Sequence, residues 1–253
     1  MSGKKSILET GDRILRLLDC FTEEHLEWGV TELSKELELN KSVVHRMLVT
    51  LENRNFLKQD PQTKKYSLGL KLFELGMIVS TQMDLLNIAK PIIHELSSKT
   101  NETTLIHVVN DSKGLCVAIE ESTLGVKSTS QLGARVPLYA GAPTKVLMAY
   151  LTKEQINNII DKGLETFTGN TIVDPDQLKK DLKTIREKGF NVSTGEIDFG
   201  SKAITFPIRN YKSEVIASIS IVGPEFRMED KIDEYTYYCK EAAELISKKL
   251  GFG

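Results

Sequence analysis

The chain contains 253 residues, of which 40% are hydrophobic and 27% are charged, and its formal net charge is −2. This length allows one large domain or two of ordinary size, and the near-neutral charge excludes a general polycation, so any binding to nucleic acid must be local. No apolar run approaches the roughly 18 residues that span a bilayer, and the N-terminus lacks the apolar core of a signal peptide. We therefore expect a cytoplasmic protein with no membrane partner.

Cysteine and histidine residues give no sign of a metal site or a disulfide framework. The three cysteines, Cys20, Cys116 and Cys239, are far apart and form no C-x-x-C pair, and the four histidines show no i, i+4 pairing. The sequence also lacks a G-x-S-x-G elbow, an H-E-x-x-H pair and a glycine-rich nucleotide motif. We expect buried, reduced cysteines and no cofactor.

Three short amphipathic helices are predicted before residue 56. The first covers residues 11–20, and the second carries Leu33, Leu37 and Leu39 on one side. Asn40 is a good N-cap residue, so a third helix should begin at Lys41. The expected buried residues are Ile14, Leu15, Leu17 and Leu18 in the first helix and Val44, Met47, Leu48 and Leu51 in the third.

A polar surface lies opposite the apolar stripe of the third helix. Helical periodicity places Ser42, His45 and Arg46 there, near the helix N-terminus, where a recognition helix meets base edges. Two short strands joined by a turn at residues 60–61 follow, which predicts the wing of a winged helix-turn-helix domain. The candidate DNA-binding residues are Lys41, Ser42, Val43, His45, Arg46, Lys64, Lys65 and Tyr66.

The distribution of charge favours DNA binding by this segment. Residues 1–39 carry 5 basic and 9 acidic side chains, whereas residues 40–68 carry 6 basic and 2 acidic side chains. A polyanion is attracted to the second group, which contains the third helix and the wing. The alternative interpretation is an amphipathic helical hairpin that only packs, with its charges forming a solvated face.

A linker helix and a second domain are predicted after the wing. We expect the DNA-binding domain at residues 1–68, a linker helix at 69–83 without the composition of a flexible tether, and the second domain at 84–253. Paired strands with helices grouped between them predict an α+β fold on a largely antiparallel sheet. The expected strands cover residues 103–109, 115–120, 203–209 and 215–222, and the expected helices begin near residue 84 and cover residues 144–151, 153–162, 176–188 and 228–250.

The last predicted strand has two different faces. Ile216, Ser218, Ser220 and Val222 share one face, because side chains alternate along a strand. The two hydroxyls on this otherwise apolar face are typical of a small-molecule site, although serines that only fill space are an equal alternative.

Three segments resemble the isocitrate lyase regulator (IclR) family of bacterial transcription factors. They read S-T-S-Q-L-G-A-R-V-P-L-Y-A-G-A-P-T-K-V-L-M-A-Y at residues 128–150, G-F-N-V-S-T-G-E-I-D-F-G at 189–200 and I-A-S-I-S-I-V-G-P at 216–224. The resemblance implies a GAF-like effector-binding domain, a homodimer or a dimer of dimers, and binding to double-stranded operator DNA. It also implies a repressor of a catabolic or transport operon that is controlled by a small metabolite, such as an organic or sugar acid.

The resemblance further implies an effector pocket. Family members that bind small carboxylates use backbone N–H groups of the loop at residues 141–143, and Pro143 has none to offer. Ser193, Ala203 and Val222 stand where some members place an acid, a cysteine and a second serine, so we expect a more apolar pocket. Lys145 is expected either to contact the ligand or to have a structural role, and the same holds for Glu196. The candidate effector-binding residues are Gly141, Ala142, Pro143, Ser193, Glu196, Ala203, Ser218, Ser220 and Val222.

Two other functional classes remain open. One is an enzyme, such as a hydrolase or transferase, with an accessory DNA-binding module. The other is an interaction protein whose C-terminal domain only oligomerises.

Overall fold

The computed structural model describes residues 8–22, 24–82 and 84–252, and for residues 79–82 and 84 it describes the backbone alone. Residues 1–7, 83 and 253, at the ends of the expected domains, lie outside the described residues. The chain divides into two compact units, residues 1–82 and residues 83–253.

The described part of the N-terminal unit contains three helices, a hairpin and a fourth helix. The elements are α1 (Glu9–Asp19), α2 (Val30–Glu36), α3 (Lys41–Asn53), β1 (Leu57–Gln59), β2 (Tyr66–Leu68) and α4 (Leu70–Gln82). The helix-turn-helix, the wing and the linker helix are therefore present, and α3 begins at the residue that the sequence predicted. Asn40 precedes α3 in extended geometry, although its side chain makes no capping hydrogen bond.

Apolar side chains from all three helices and from the wing form the core of this unit. Leu17, Leu33, Val44, Leu48 and Leu57 are almost completely buried there. The expectation that Leu15 is buried is wrong, since 63% of it is exposed. Leu17 faces the core, and Leu15, two residues earlier, lies on nearly the opposite side of α1 and faces solvent.

Gly69 joins the wing to α4 through a close backbone approach. Its N–H donates to the carbonyl oxygen of Phe56 at 2.8 Å. A Cβ at this position would lie 2.2 Å from the carbonyl oxygen of Asn55, so only glycine fits. The start of α4 is thus fixed against the end of α3.

The C-terminal unit is built on one antiparallel sheet of six strands. Its strands are β3 (Thr103–Asn110), β4 (Lys113–Glu120), β5 (Arg135–Pro137), β6 (Asn191–Thr194), β7 (Ser201–Arg209) and β8 (Val215–Pro224), in the spatial order β5-β4-β3-β8-β7-β6. Its helices are α5 (Asp84–Thr100), α6 (Ala142–Ala149), α7 (Lys153–Asp161), α8 (Pro175–Lys188), α9 (Glu225–Met228) and α10 (Ile232–Lys249). The predicted α+β fold is confirmed.

Helices cover both faces of the sheet. α5 and α10 pack on one face against Ala217, Ile219 and Ile221 of β8. α6 packs on the other face, and α7 and α8 lie beyond it in a second apolar cluster. The predicted separation of the two faces of β8 therefore holds for residues 217–222, but it is wrong for Ile216, which packs with the α5 and α10 cluster beside an irregularity in the pairing with β7.

Several boundaries differ from those predicted. The strands β5 and β6, which pair with β4 and β7 at the two edges of the sheet, were not predicted. The predicted helix at residues 228–250 is wrong in its first turn, because α9 and a 3₁₀ turn (Glu229–Lys231) precede α10. The predicted helix at 144–151 begins two residues earlier, at Ala142.

The three cysteines are free, with Cys116 and Cys239 buried and Cys20 half-buried. Burial raises the pKa of the Cys116 thiol to about 11 and that of the Cys239 thiol to about 12, so both are uncharged near neutral pH. Within the described ranges, no cluster of three or more His, Cys, Asp or Glu side chains could hold a metal ion. Nor is any helix in this part of the chain long and apolar enough to cross a membrane.

Candidate DNA-binding surface and ligand cavity

α3 presents a polar surface at its N-terminal end. Lys41, Ser42, His45 and Arg46 are exposed, while Val43 is half-buried and packs against the core of the unit. The first turn contains no acidic residue. Because the N–H groups at a helix N-terminus also attract anions, this end of α3 suits contact with a nucleic-acid backbone and base edges.

The wing turn is held by Asp60. One carboxylate oxygen of Asp60 accepts hydrogen bonds from the N–H groups of Gln62 and Thr63, both at 2.7 Å. These bonds lower the pKa of Asp60 below its ordinary value. Lys64 follows with φ of 59° and is exposed at the tip.

The other two predicted wing residues are placed differently. The Nζ of Lys65 lies 3.4 Å from the Oε1 of Glu32, so its charge is partly neutralised within the unit. Tyr66 is only 1% exposed, and its backbone pairs with that of Trp28 at 2.8 and 2.9 Å. The Tyr66 side chain therefore lies in the core of the unit, whereas Lys64 and the polar side chains of α3 are exposed to solvent.

A cavity of about 270 Å³ lies beside the N-terminus of α6 in the C-terminal unit. Strands β3, β7 and β8 supply its apolar wall, and the segments at residues 128–136 and 193–201 supply much of the remainder. It is lined by Leu105, His107, Ser128, Thr129, Ser130, Gln131, Ala134, Val136, Gly141, Pro143, Thr144, Ser193, Glu196, Ile197, Asp198, Ser201, Ala203 and Val222. Ligand pockets usually have volumes of about 300 Å³ or more, and this cavity is slightly smaller, so it suits a small molecule.

Six of the nine predicted effector-binding residues line this cavity, and three do not. The six are Gly141, Pro143, Ser193, Glu196, Ala203 and Val222. Ser218 is fully buried and donates to the carbonyl oxygen of Pro143 at 2.7 Å, and Ser220 shares a hydrogen bond of 2.9 Å with Thr205. The side chain of Ala142 packs with Leu105 below the wall.

The backbone N–H groups at the start of α6 already have partners. Gly141 N–H donates to the Oε2 of Glu196 at 3.0 Å, and Ala142 N–H donates to the Oγ of Ser193 at 2.7 Å. Gly141 has φ of 77°, which favours glycine and turns its N–H toward Glu196. Since Pro143 has no N–H, these three positions offer no free backbone donor to a ligand.

Lys145 and Glu196 contact each other. The Nζ of Lys145, whose side chain is 2% exposed, lies 2.6 Å from the Oε1 of Glu196 and 2.7 Å from the Oδ2 of Asp181. Both oxygens of Glu196 are therefore engaged, one by Lys145 and one by Gly141. This arrangement supports a structural role for both residues.

His107 is a cavity residue that the sequence did not single out. It lies on β3, is only 3% exposed, and its Nδ1 has no hydrogen-bond partner. Burial lowers the pKa of His107 to about 4, so the ring is neutral at physiological pH. The signal in the sequence was weak: a histidine within an apolar strand usually has a partner in the core.

Comparisons with known proteins identify both parts of the chain. Residues 11–61 match the family model described as the IclR helix-turn-helix domain, and residues 77–248 match that of the bacterial transcriptional regulator IclR C-terminal domain. The chain is 31% identical to the HTH-type transcriptional regulator XynR of Escherichia coli, over 97% of this chain and 98% of that protein. It is 34% identical to the regulator KipR of Bacillus subtilis, over 88% and 90%.

A solved structure has the same fold. It is an IclR homologue from Microbacterium hydrocarbonoxydans complexed with 4-hydroxybenzoate, with a TM-score of 0.88 and 23% identity, covering 95% of this chain and 98% of that one.

Proposed function

The chain belongs to the IclR family of bacterial transcriptional regulators, and from this we propose that it binds operator DNA through α3 and the wing and releases it when a small molecule fills the cavity. The chain is a regulator of transcription and not an enzyme, because the family and its relatives are regulators. We assign DNA binding to residues 1–68, the linker to 69–83 and ligand binding to 84–253, and place the protein in the cytoplasm with its operator.

The DNA-binding part of the proposal rests on the exposed N-terminal end of α3. Ser42, His45 and Arg46 project from it, and Arg46 is the best candidate for a bidentate contact with a guanine. Lys41 and Lys64 are exposed cations that suit contacts with phosphate. Lys65 is a weaker candidate because of Glu32, and Tyr66 supports the wing from inside.

A second copy of the chain is the partner that best fits α4. Leu70, Phe73 and Met77 are 79%, 67% and 48% exposed and are spaced along one side of this helix. Exposed apolar side chains in such a row mark an interaction surface. A dimer would present two α3 helices to a two-fold symmetric operator, whose half-sites lie about one helical turn or a multiple apart.

The cavity beside α6 carries the proposal of ligand control. Its apolar walls and its few polar groups match the usual composition of small-molecule sites. A ligand changes DNA affinity only by binding one arrangement of the protein better than the other. We expect the ligand-bound arrangement to bind the operator less tightly, so that the protein acts as a repressor.

The test combines two measurements on the full chain. A thermal-shift screen of metabolites identifies compounds that raise the melting temperature, and the operator is obtained by selection from random duplex DNA. We expect at least one stabilising compound to weaken operator binding. If no compound raises the melting temperature, or if stabilising compounds leave operator affinity unchanged, the alternative of a C-terminal domain that only oligomerises is favoured.

A further inference from the structure

We propose that the cavity accepts an uncharged small molecule with an apolar body and one hydrogen-bonding group, and that His107 is the residue that recognises this group. The inference rests on the proposed use of the cavity as a ligand site. It adds the chemical class of the ligand and a specificity-determining residue.

The first observation is the unpaired nitrogen of His107. More than nine in ten buried polar groups have a hydrogen-bond partner, and a buried group without one destabilises a protein. Among the described residues, three buried side-chain atoms have no partner, namely His107 Nδ1, Asn110 Oδ1 and Asn191 Nδ2. Of these residues, His107 is the one that lines the cavity.

Neighbouring groups of the chain do not supply the missing partner. His107 lies opposite Cys116 on β4 and Ser218 on β8. The Cys116 thiol is directed to the carbonyl oxygen of Ala118 at 3.5 Å, and the Ser218 hydroxyl is bound to Pro143. Because His107 lines the cavity, a molecule inside it is the remaining candidate partner for the ring.

The other hydroxyls of the cavity wall already have hydrogen bonds within the chain. Ser128 bonds to Ser130 at 2.9 Å, and Thr144 donates to the carbonyl oxygen of Ala140 at 2.6 Å. Ser193 accepts from Ala142, and Ser201 donates to Asp198 at 2.6 Å. Among the described side chains of the wall, His107 is thus the one with a buried polar atom that has no hydrogen-bond partner.

The second observation is the charge of the cavity. Neither lysine nor arginine is among the described residues that line it, whereas Glu196 and Asp198 are. Lys145 is already held between two carboxylates, and the N–H groups of Gly141 and Ala142 are occupied. A carboxylate bound in this cavity would lie near Glu196 and Asp198 with no lysine or arginine to pair with, which is unfavourable.

A cation is not favoured either. Both oxygens of Glu196 are engaged, and Asp198 is exposed, so its charge is screened by solvent. A neutral ligand fits both observations, because a neutral imidazole offers one donor and one acceptor. The cavity volume of 270 Å³ has room for roughly nine water-sized groups, which sets the size of the ligand.

An isosteric set of probes tests the proposal. Benzoate, benzamide and benzamidine have the same shape and carry a negative, a zero and a positive charge. Their dissociation constants would be measured by ligand-observed NMR with the native full chain and with His107→Phe, which keeps a ring but removes both nitrogens. His94→Phe is the matched control, because His94 is exposed and bonds to Glu120 outside the cavity.

We expect benzamide to bind the native chain at least about tenfold more tightly than benzoate or benzamidine. His107→Phe should weaken benzamide binding about fivefold, as for the loss of one hydrogen bond, and His94→Phe should leave it unchanged. With ¹⁵N-labelled histidine, the signal that is missing from His107→Phe should shift on addition of benzamide.

Other outcomes separate two failures. This inference is overturned if benzoate or benzamidine binds more tightly than benzamide. It is also overturned if His107→Phe does not weaken benzamide binding and benzamide does not shift the His107 signal. Either result leaves the proposed function standing. If none of the three probes binds at millimolar concentration, the inferred ligand class is overturned, whereas the proposal of ligand control still depends on the thermal-shift screen.

Discussion

Removal of the buried charge of Lys145 should destabilise the C-terminal unit. In Lys145→Met, the side chain keeps most of its length but no longer neutralises Glu196, whose side chain is 9% exposed, or Asp181, whose side chain is 26% exposed. Breaking a buried ion pair by removing one partner costs about 3–5 kcal/mol. We expect about 3 kcal/mol, the lower end of this range, because Asp181 keeps some contact with water.

The loss corresponds to a fall in melting temperature of about 6–12 °C, since 1 kcal/mol shifts a domain of this size by about 2–4 °C. Far-UV circular dichroism of the full chain on heating and in urea measures it. Lys183→Met is the matched control: Lys183 pairs with Glu187 on the surface at 3.7 Å, and such pairs contribute less than about 1 kcal/mol.

The double variant Lys145→Met/Glu196→Gln adds a second check. The substitution Glu196→Gln removes the unpaired charge, and the new amide keeps an oxygen that accepts from Gly141, so the double variant should be more stable than Lys145→Met alone. Equal stability of Lys145→Met and the native chain, or a further loss in the double variant, would refute a structural role for the contact between Lys145 and Glu196.

Three further predictions concern the wing, His107 and α4. Lys64→Ala should lower the salt slope of operator binding by about one, and Lys65→Ala by less because Lys65 pairs with Glu32; equal slopes in all three chains would remove the wing from the interface. His107 becomes protonated below about pH 6.5 in the unfolded chain but only below about pH 4 in the folded chain. Lowering the pH from 7 to 5 should therefore reduce the free energy of unfolding of the native chain by about 2 kcal/mol more than that of His107→Phe, as measured by urea titration. Phe73→Glu should shift the sedimentation coefficient toward that of a monomer, and an unchanged value would contradict the dimer through α4.

Local sequence signals were sufficient to locate the helices and the wing of the N-terminal unit. The apolar spacing at Val44, Met47, Leu48 and Leu51 located α3, and Asn40 located its start, because both features depend on neighbours within one or two turns. Tyr66 was a different case. It follows two lysines in sequence and shares their polar surroundings, but its pairing with Trp28 buries it, and this contact joins residues that are distant along the chain.

In the C-terminal unit the sequence located the faces of the strands but not the partners of their side chains. Alternation placed Ser218 and Ser220 on the α6 side of β8, whereas only the structure shows that Pro143 and Thr205 take up their hydroxyls. β5 has three residues and ends in a proline, so it carries too short a pattern to predict. His107 Nδ1 is unpaired because the neighbouring strands offer it no hydrogen-bond partner, and the local sequence pattern does not encode these neighbours.

DNA recognition by α3 can be measured by a selection from random duplex DNA followed by anisotropy titrations. We predict that the native full chain enriches a two-fold symmetric sequence, and that Arg46→Ala weakens binding to it by about 1–3 kcal/mol and relaxes the preference at one position of each half-site. Arg13→Ala, which alters a pair with Glu9 on α1, should bind like the native chain. Enrichment of no sequence, or equal binding by Arg46→Ala, would contradict sequence recognition by the exposed end of α3.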